Sequence, residues 1–142
     1  MAKVTVIGGG SWGIALAVLL HKNGHGITVW SALEAEIEML RTRHEHKMLP
    51  GVQLAEDICY TLDEREAVEG ADLLVMAVAS SFTRRTAARL CPYVASGQCI
   101  VNVAKGIEEH TLMTQAQITE QEIPQAQVAV LSGPSHAEEV GR

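Results

Sequence analysis

The chain has 142 residues and a formal net charge of −6 at neutral pH, with 47% hydrophobic and 4% aromatic residues. That length suits one domain with a substantial core, and the scarcity of aromatic residues predicts an aliphatic core, as in sheets covered by helices. The acidic balance, without a basic stripe, excludes general nucleic-acid binding, and the longest apolar runs are far too short to span a bilayer.

The first predicted elements surround a glycine-rich turn. A β-branched run over 4–7 predicts a strand, and an Ala/Leu-rich stretch over 12–23 predicts a helix. Between them the chain reads G-x-G-x-x-G. Gly8 suits a tight turn, Gly10 lets the backbone approach a pyrophosphate, and Gly13 lets the helix pack on the strand. The helix N-terminus adds unpaired N–H groups, so this context favours dinucleotide binding over an ordinary glycine turn.

Strand-like and helix-like segments alternate along the rest of the chain. Further strands are predicted at 27–30, 58–60, 72–78, 98–103 and 127–131. Helices are predicted at 33–46, from a cap at Asp63 to Gly70, from a cap at Ser80 or Ser81 toward Leu90, at 112–121, and from about 135 onward. This alternation predicts parallel β-α-β units, and hence a doubly wound, mainly parallel α/β sheet of the Rossmann dinucleotide-binding type.

Several loops are predicted to meet at the carboxyl ends of the strands, where ligands bind in such folds. They are 8–13, 79–81, 104–106 and 132–135. Lys105 directly follows an apolar strand, so its ammonium would face the cleft and bind a phosphate or polarise a carbonyl; an ordinary solvated lysine is the alternative. Ser135 either caps the helix that follows or, with the N–H groups of that helix, holds a phosphate.

The end of the second predicted strand bears on cofactor choice. A site that prefers NAD usually places Asp or Glu there, roughly 20 residues after the glycines. Here residues 30–33 read Trp-Ser-Ala-Leu, and no acid occurs until Glu34. This removes the usual repulsion of a 2′-phosphate, but no arginine replaces the acid unless Arg41, Arg43 or Lys47 reaches back. NADP and NAD both stay open.

The cysteines and histidines give no indication of a metal site. The three cysteines are an odd number without a C-x-x-C pair, which favours free thiols in a reducing cytoplasm. His44 and His46 are expected two residues apart on one helix, so they would point to different sides.

The chain starts directly in a strand, so no signal peptide is expected. The Arg84-Arg85 pair is interpreted as solvated surface.

Taken together, the motifs resemble the NAD(P)-dependent sn-glycerol-3-phosphate dehydrogenase family of bacterial type. The matching stretches, in family order, are 6–13, 15–17, 23–25, 49–52, 104–108 (Ala-Lys-Gly-Ile-Glu), 131–135 (Leu-Ser-Gly-Pro-Ser) and 137–140 (Ala-Glu-Glu-Val). The Lys-Gly-Ile-Glu and Ser-Gly-Pro-Ser elements, at 105–108 and 132–135, are far more specific than the glycine motif. The chain departs from the family at Ala32 and Leu33, where His or Arg is usual, and at Ala79, where proline is common.

The resemblance implies reversible hydride transfer between NAD(P)H and dihydroxyacetone phosphate, giving sn-glycerol 3-phosphate for glycerophospholipid synthesis. It implies cofactor contacts beyond the glycines at Ser11, Trp12, Lys105 and Ala137, and substrate contacts at Lys105, Gly133 and Ser135. It places the general acid/base lysine in a C-terminal helical domain. Residues 1–142 are therefore expected to be the cofactor-binding domain of a cytoplasmic enzyme, homodimeric at full length, and to be inactive alone.

Two other classes of protein stay open. Another two-domain dehydrogenase, acting on a 2-hydroxy acid or a sugar acid, would share the glycine motif but would not be expected to share residues 105–108 or 132–135. A non-enzymatic nucleotide sensor would need only the binding half, but it would leave the match in the substrate loops without a role. The chain stops at Arg142, just after a predicted helix begins, which favours part of a longer enzyme.

Overall fold

The chain folds around a six-stranded sheet in the computed structural model, which describes residues 1–133 and 136–142. The strands are β1 (Lys3–Ile7), β2 (Gly26–Trp30), β3 (Cys59–Thr61), β4 (Leu73–Met76), β5 (Cys99–Asn102) and β6 (Gln127–Val130). Their order is β3-β2-β1-β4-β5-β6, and each neighbouring pair is parallel. The strand order reverses between β1 and β4, which opens a crevice at their carboxyl ends. The predicted doubly wound sheet is confirmed.

Helices connect the strands and cover the sheet. In the described residues they are α1 (Ser11–Lys22), α2 (Glu34–Arg43), α3 (Glu64–Val68), α4 (Thr83–Leu90), α5 (Gln115–Glu122) and α6 (Ala137–Val140). Helix α5 begins with a capping box, in which the Thr114 hydroxyl accepts from the Gln117 N–H and the Gln117 side chain accepts from the Thr114 N–H. Short 3-10 turns at Ser80–Phe82 and Cys91–Tyr93 flank α4.

The core has two parts, one on each face of the sheet, because successive strand residues point to opposite faces. One part contains Val4 and Val6 of β1 beneath α1 and α2. The other contains Ile7 with Leu74 and Met76, beneath α3 and α4. Burial on both faces explains why all four residues of β4 are apolar. As predicted, the buried side chains are mostly aliphatic.

Several predicted boundaries were wrong. Helix α2 ends at Arg43, not at residue 46, because His44 adopts a left-handed conformation (φ 52°). His44 and His46 therefore do not share a helix. Neither Ser80 nor Ser81 caps α4, since a 3-10 turn precedes that helix. The helix predicted from 112 begins at Gln115, where the capping box of Thr114 fixes its start.

Candidate functional site

The glycine turn after β1 lies against the ends of two neighbouring strands. Gly8 has φ 124°, and a Cβ there would lie 2.8 Å from the backbone carbon and oxygen of Ala77, just beyond β4. The Gly8 N–H donates to the Trp30 carbonyl of β2 at 2.8 Å. The turn is thus held at the crevice between β1 and β4, in a conformation that favours glycine.

Two further glycines shape the start of α1. A Cβ at Gly13 would lie 2.5 Å from the Gly8 carbonyl oxygen and 3.2 Å from Val6, so only glycine lets α1 approach β1 this closely. At Gly10, by contrast, no described atom lies within 4 Å of the place that a Cβ would take. Within the described part of the chain, no side chain caps α1, and its first turn contains no acidic residue. This end of α1 therefore presents backbone N–H groups to open space.

A cleft of about 340 Å³ runs from this turn along the ends of β2 and β4. We call it the glycine-loop cleft; it is lined by residues 8–10, 30–33, Glu36, 77–79, Phe82, Arg85, Thr86 and Arg89. Sequence reasoning missed Glu36. The Ser31 hydroxyl donates to its Oε1 at 2.6 Å and accepts from the Leu33 N–H at 3.1 Å. A Cβ at Gly9 would overlap the same carboxylate.

The position of Glu36 in α2 explains how its carboxylate reaches the cleft. Leu33 is the N-cap of α2, so Glu36 is the third residue of the helix, where a side chain tilts back toward the N-terminus. Residues 30–33 contain no acid, as the sequence shows. In the folded chain, however, the Glu36 carboxylate lies beside Ser31 at the end of β2, so the expectation of a site without an acid there was wrong. The available signal was an acid in the first helical turn after the strand.

His46 lies behind this carboxylate and is 7% exposed. Its Nδ1 accepts a hydrogen bond from the Met48 N–H at 3.1 Å. Burial lowers the pKa of His46 below 6.5, while the Glu36 carboxylate and the Gly9 carbonyl act in the opposite direction. The net effect favours the neutral ring beneath the glycine turn.

The opposite wall of the cleft is formed by α4 and the turn before it. The Phe82 ring is half exposed, and the Arg85 guanidinium lies 5.6 Å from its centroid. Arg89 forms an ion pair with Glu64 and lies 5.4 Å from the centroid of the Trp30 ring. This wall is thus an aromatic and cationic surface.

A second cleft, of about 420 Å³, lies at the ends of β5 and β6. We call it the Lys105 cleft; it is lined by Asn102, residues 104–106, residues 114–116 and residues 130–133. The buried Asn102 amide donates to the Gln115 carbonyl and the Thr119 hydroxyl, and its oxygen accepts from the Ala104 N–H at 3.0 Å. These bonds fix the turn that carries Lys105.

Trp12 connects the two clefts. Its indole N–H donates to the Val103 carbonyl at 3.2 Å, and the Lys105 ammonium lies 5.9 Å from the centroid of its ring. The first turn of α1 and the loop after β5 are thereby joined. Of the predicted site residues, the structure brings the glycine turn, Trp12 and Lys105 together.

The remaining predicted site residues lie near the end of the chain. Gly133, with φ 141°, lines the Lys105 cleft. Ala137 begins α6, which packs against α1, and it is not among the described residues that line either cleft. Ser135 lies outside the described residues.

Arg84, interpreted from the sequence as solvated surface, instead forms the centre of an ion-pair network; that interpretation was wrong. It makes two bonds to the Glu108 carboxylate, at 2.7 and 2.9 Å, and one to Glu122 at 2.7 Å. The bonds from Arg84, helped by the Thr111 hydroxyl, lower the pKa of Glu108 to about 2. The network joins α4, α5 and the loop after Lys105, and so supports the Lys105 cleft.

A parallel sheet in this order, with a glycine turn and a lysine-bearing loop at the carboxyl ends of its strands, defines a domain of the Rossmann class. Within that class, residues 3–142 match the model of the family described as NAD-dependent glycerol-3-phosphate dehydrogenase N-terminus, and the chain belongs to this family.

Similar curated proteins carry the corresponding name. The chain is 56% identical over 143 residues to glycerol-3-phosphate dehydrogenase [NAD(P)+] of Agathobacter rectalis. It is 52% identical over 145 residues to the protein of the same name from Fusobacterium nucleatum. All of the chain is covered in both cases, but it spans only 43% of the length of either relative.

Solved structures agree with the assignment of the fold. The glycerol-3-phosphate dehydrogenase of Coxiella burnetii is 26% identical, with a TM-score of 0.90 over 99% of this chain and 43% of that one. A Mycobacterium tuberculosis 3-hydroxyisobutyrate dehydrogenase, 11% identical over 97% of this chain and 42% of its own, has a TM-score of 0.73. Likeness at that level shows the fold alone, so the architecture by itself does not choose among dehydrogenases.

Two further observations concern the described residues as a whole. No helix within 1–133 or 136–142 combines the length and apolarity needed to cross a membrane. Over the same ranges, no three His, Cys, Asp or Glu side chains are grouped so that they could hold a metal ion.

Proposed function

We propose that residues 1–142 form the nucleotide-binding domain of an NAD(P)-dependent glycerol-3-phosphate dehydrogenase. The enzyme would reversibly reduce the ketone of dihydroxyacetone phosphate to the secondary alcohol of sn-glycerol 3-phosphate, for glycerophospholipid synthesis. The observation that carries this proposal is the junction of the glycine turn with the Lys105 loop through Trp12. The family match over residues 3–142 supports it.

The glycine turn is the proposed pyrophosphate site. The open space at Gly10 lets phosphate oxygens approach the backbone, and Ser11, Trp12 and Gly13 contribute the first N–H groups of α1. Gly8 shapes the turn from the strand side. When bound, the nicotinamide exchanges a hydride with the substrate carbon. Ala137 is kept as a further cofactor contact because the family resemblance implies it.

Lys105 is the proposed electrophilic residue. Its ammonium lies against the Trp12 ring at the edge of the Lys105 cleft, where it would bind the carbonyl oxygen of dihydroxyacetone phosphate. There it would stabilise the negative charge that develops on this oxygen during hydride transfer. Gly133, in the same cleft, and Ser135 are proposed as the other substrate contacts, again because the resemblance implies them.

The proton that completes the reduction requires a general acid. We place it outside residues 1–142, on a lysine of a helical domain, as the resemblance implies. The 43% of the relatives' length that this chain spans is consistent with that placement. The chain alone is therefore expected to bind cofactor and to leave dihydroxyacetone phosphate unreduced.

Calorimetric titration of the 142-residue chain with NADH and with NADPH tests the nucleotide site. Binding of either cofactor supports a self-sufficient site. Failure of both to bind at millimolar concentration would contradict the proposal for this chain. Reduction of dihydroxyacetone phosphate by the chain alone would contradict the placement of the general acid.

Lys105→Ala in the full-length enzyme tests the role of the lysine. We expect kcat to fall by about 100-fold or more, as when one donor to a developing oxyanion is removed, while cofactor affinity changes much less. Lys22→Ala is the matched control, since it removes the same charge at the opposite end of α1. Turnover of Lys105→Ala equal to that of Lys22→Ala would overturn the assignment.

We also propose that the full-length enzyme is cytoplasmic and homodimeric. The three cysteines of the described residues are free thiols, which suits a reducing compartment. Light scattering of the full-length enzyme after size-exclusion chromatography measures the oligomeric state, and a monomer would contradict this proposal.

A further inference from the structure

We infer that Glu36 binds the adenosine ribose in the glycine-loop cleft and gives the site a preference for NADH over NADPH. The inference rests on the proposed function, because it assigns the cofactor preference of the same site. It answers the question that the sequence Trp-Ser-Ala-Leu at 30–33 left open.

Ser31 and Gly9 fix the position of the Glu36 carboxylate. Ser31 is 3% exposed, and its hydroxyl donates to Oε1 of Glu36 at 2.6 Å while accepting from the Leu33 N–H. On the other side, the carboxylate fills the space that a Cβ at Gly9 would occupy. Gly9 and Ser31 therefore together form a seat for an acid. Oε2 accepts no hydrogen bond from residues 1–133 or 136–142.

The end of β2, where this carboxylate lies, is the position at which a Rossmann site binds the adenosine ribose. The acid that binds the ribose hydroxyls lies at the end of the second strand, roughly 20 residues after the glycines. Glu36 is 23 residues after Gly13. Although it belongs to α2, its bond to Ser31 brings its carboxylate to the end of β2. The carboxylate can accept hydrogen bonds from the vicinal hydroxyls of the ribose. A 2′-phosphate carries roughly two negative charges, so the carboxylate would repel it.

The two arginines of the cleft are engaged on the opposite wall. Arg89 is paired with Glu64, so its charge is already compensated. Arg85 lies over the Phe82 ring, on the exposed side of α4. Among the charged residues that line the cleft, Glu36 is the one seated against the glycine turn. The charge nearest to the ribose position is therefore negative.

The dissociation constants of NADH and NADPH, measured by calorimetry on the 142-residue chain, test the inference. We expect NADH to bind at least about tenfold more tightly than NADPH, and Glu36→Gln to reduce this ratio by about tenfold. Glu34→Gln is the matched control, because it removes the same charge from the same first turn of α2. Glu34 is exposed and does not line the cleft. This variant should keep the wild-type ratio.

Ser31→Ala keeps the charge of Glu36 but removes the group that holds it, so it too should lower the ratio. It replaces Glu36→Gln as the test if circular dichroism shows that the latter is unfolded. Arg85→Ala should weaken both cofactors alike. A loss confined to NADPH in Arg85→Ala would make that arginine a 2′-phosphate ligand and overturn the inference.

The remaining outcomes separate the inference from the proposed function. A wild-type chain that binds NADPH as tightly as NADH, or more tightly, refutes the role of Glu36 but keeps the nucleotide site. Equal ratios in Glu36→Gln and Glu34→Gln do the same. Failure of the wild-type chain to bind either cofactor refutes the nucleotide site itself, and the inference with it.

Discussion

Replacing Gly8 by alanine tests whether the glycine turn is shaped by contact with the neighbouring strand or only by its backbone conformation. Gly8 and Gly24 both have positive φ, at 124° and 91°. An L-residue in such a conformation costs about 1–3 kcal/mol at either position. The two glycines differ in their surroundings, and this difference isolates the contact.

The contact at Gly8 involves backbone atoms. Its Cβ would lie 2.8 Å from the carbon and oxygen of Ala77 and 3.0 Å from the nitrogen of Val78, none of which can rotate away. At Gly24 no described atom lies within 4 Å. Forced overpacking costs about 1–3 kcal/mol. Gly8→Ala should therefore destabilise the chain by about 1–3 kcal/mol more than Gly24→Ala.

Thermal unfolding followed by circular dichroism measures this difference. For a domain of this size, 1 kcal/mol corresponds to roughly 3 °C in Tm, so the Tm of Gly8→Ala should be roughly 3–9 °C lower than that of Gly24→Ala. Equal losses in Tm would mean that Ala77 and Val78 move aside without an energetic cost, and that the positive φ angle alone accounts for the destabilisation. Contact with Ala77 and Val78 would then not be what requires glycine at position 8.

Other positions around the clefts yield predictions that separate binding, charge and stability. Gly10→Ala should lower Tm by about 3 °C or less, because Ala at this N-cap costs roughly 0.5–1 kcal/mol more than Gly and its Cβ meets no described atom. It should weaken NADH about tenfold or more by calorimetry, because its Cβ takes the open space beside the backbone. A Tm loss as large as that of Gly8→Ala would contradict this prediction. NMR titration should give His46 a pKa below 6.5. In Glu36→Gln this pKa should be lower still, because the carboxylate that favours the charged ring is gone. An unchanged or higher pKa in the variant would refute the interaction between Glu36 and His46. Because the pKa of His46 is lowered on folding, stability should also fall as the pH drops below 6.5. The lowered pKa of Glu108 affects stability at lower pH: its contribution to the free energy of unfolding is complete above pH 4.5 and is lost as the pH falls toward 2. The Tm difference between wild type and Glu108→Gln should therefore shrink over that interval. A constant difference would count against the pairing with Arg84.

The fold was predictable because its signals are local. The apolar runs of β1 and β4 are short, β-branched or aliphatic, and separated by helical stretches, which leaves few arrangements other than a parallel sheet. Helix ends were less predictable. The left-handed conformation of His44 ends α2, although neither glycine nor proline is present there to indicate the end.

The site was predictable only where one segment carries it. The glycine turn and the position of Lys105 after β5 follow from the sequence, since each depends on a strand and the loop that leaves it. Glu36 was missed because its carboxylate reaches the end of β2 only when the side chain folds back to Ser31. Arg84 was misjudged because its partners lie 24 and 38 residues away, on the loop after Lys105 and on α5. Such partners become neighbours only after the sheet is assembled.

Under the proposed function, Trp12 makes the substrate end of the site depend on the nucleotide end. Its ring lies against the Lys105 ammonium and its N–H donates to the Val103 carbonyl, while the turn that carries it is bonded to β2 through Gly8 and Trp30. Hydride transfer requires donor and acceptor carbons to be held in close register, and misplacement by about 1 Å is costly. A shared residue keeps that register, because any shift of the glycine turn also moves the lysine loop. Nucleotide binding alone would require only the glycines, so under the proposed function the Trp12–Val103 bond would serve catalysis rather than simple binding.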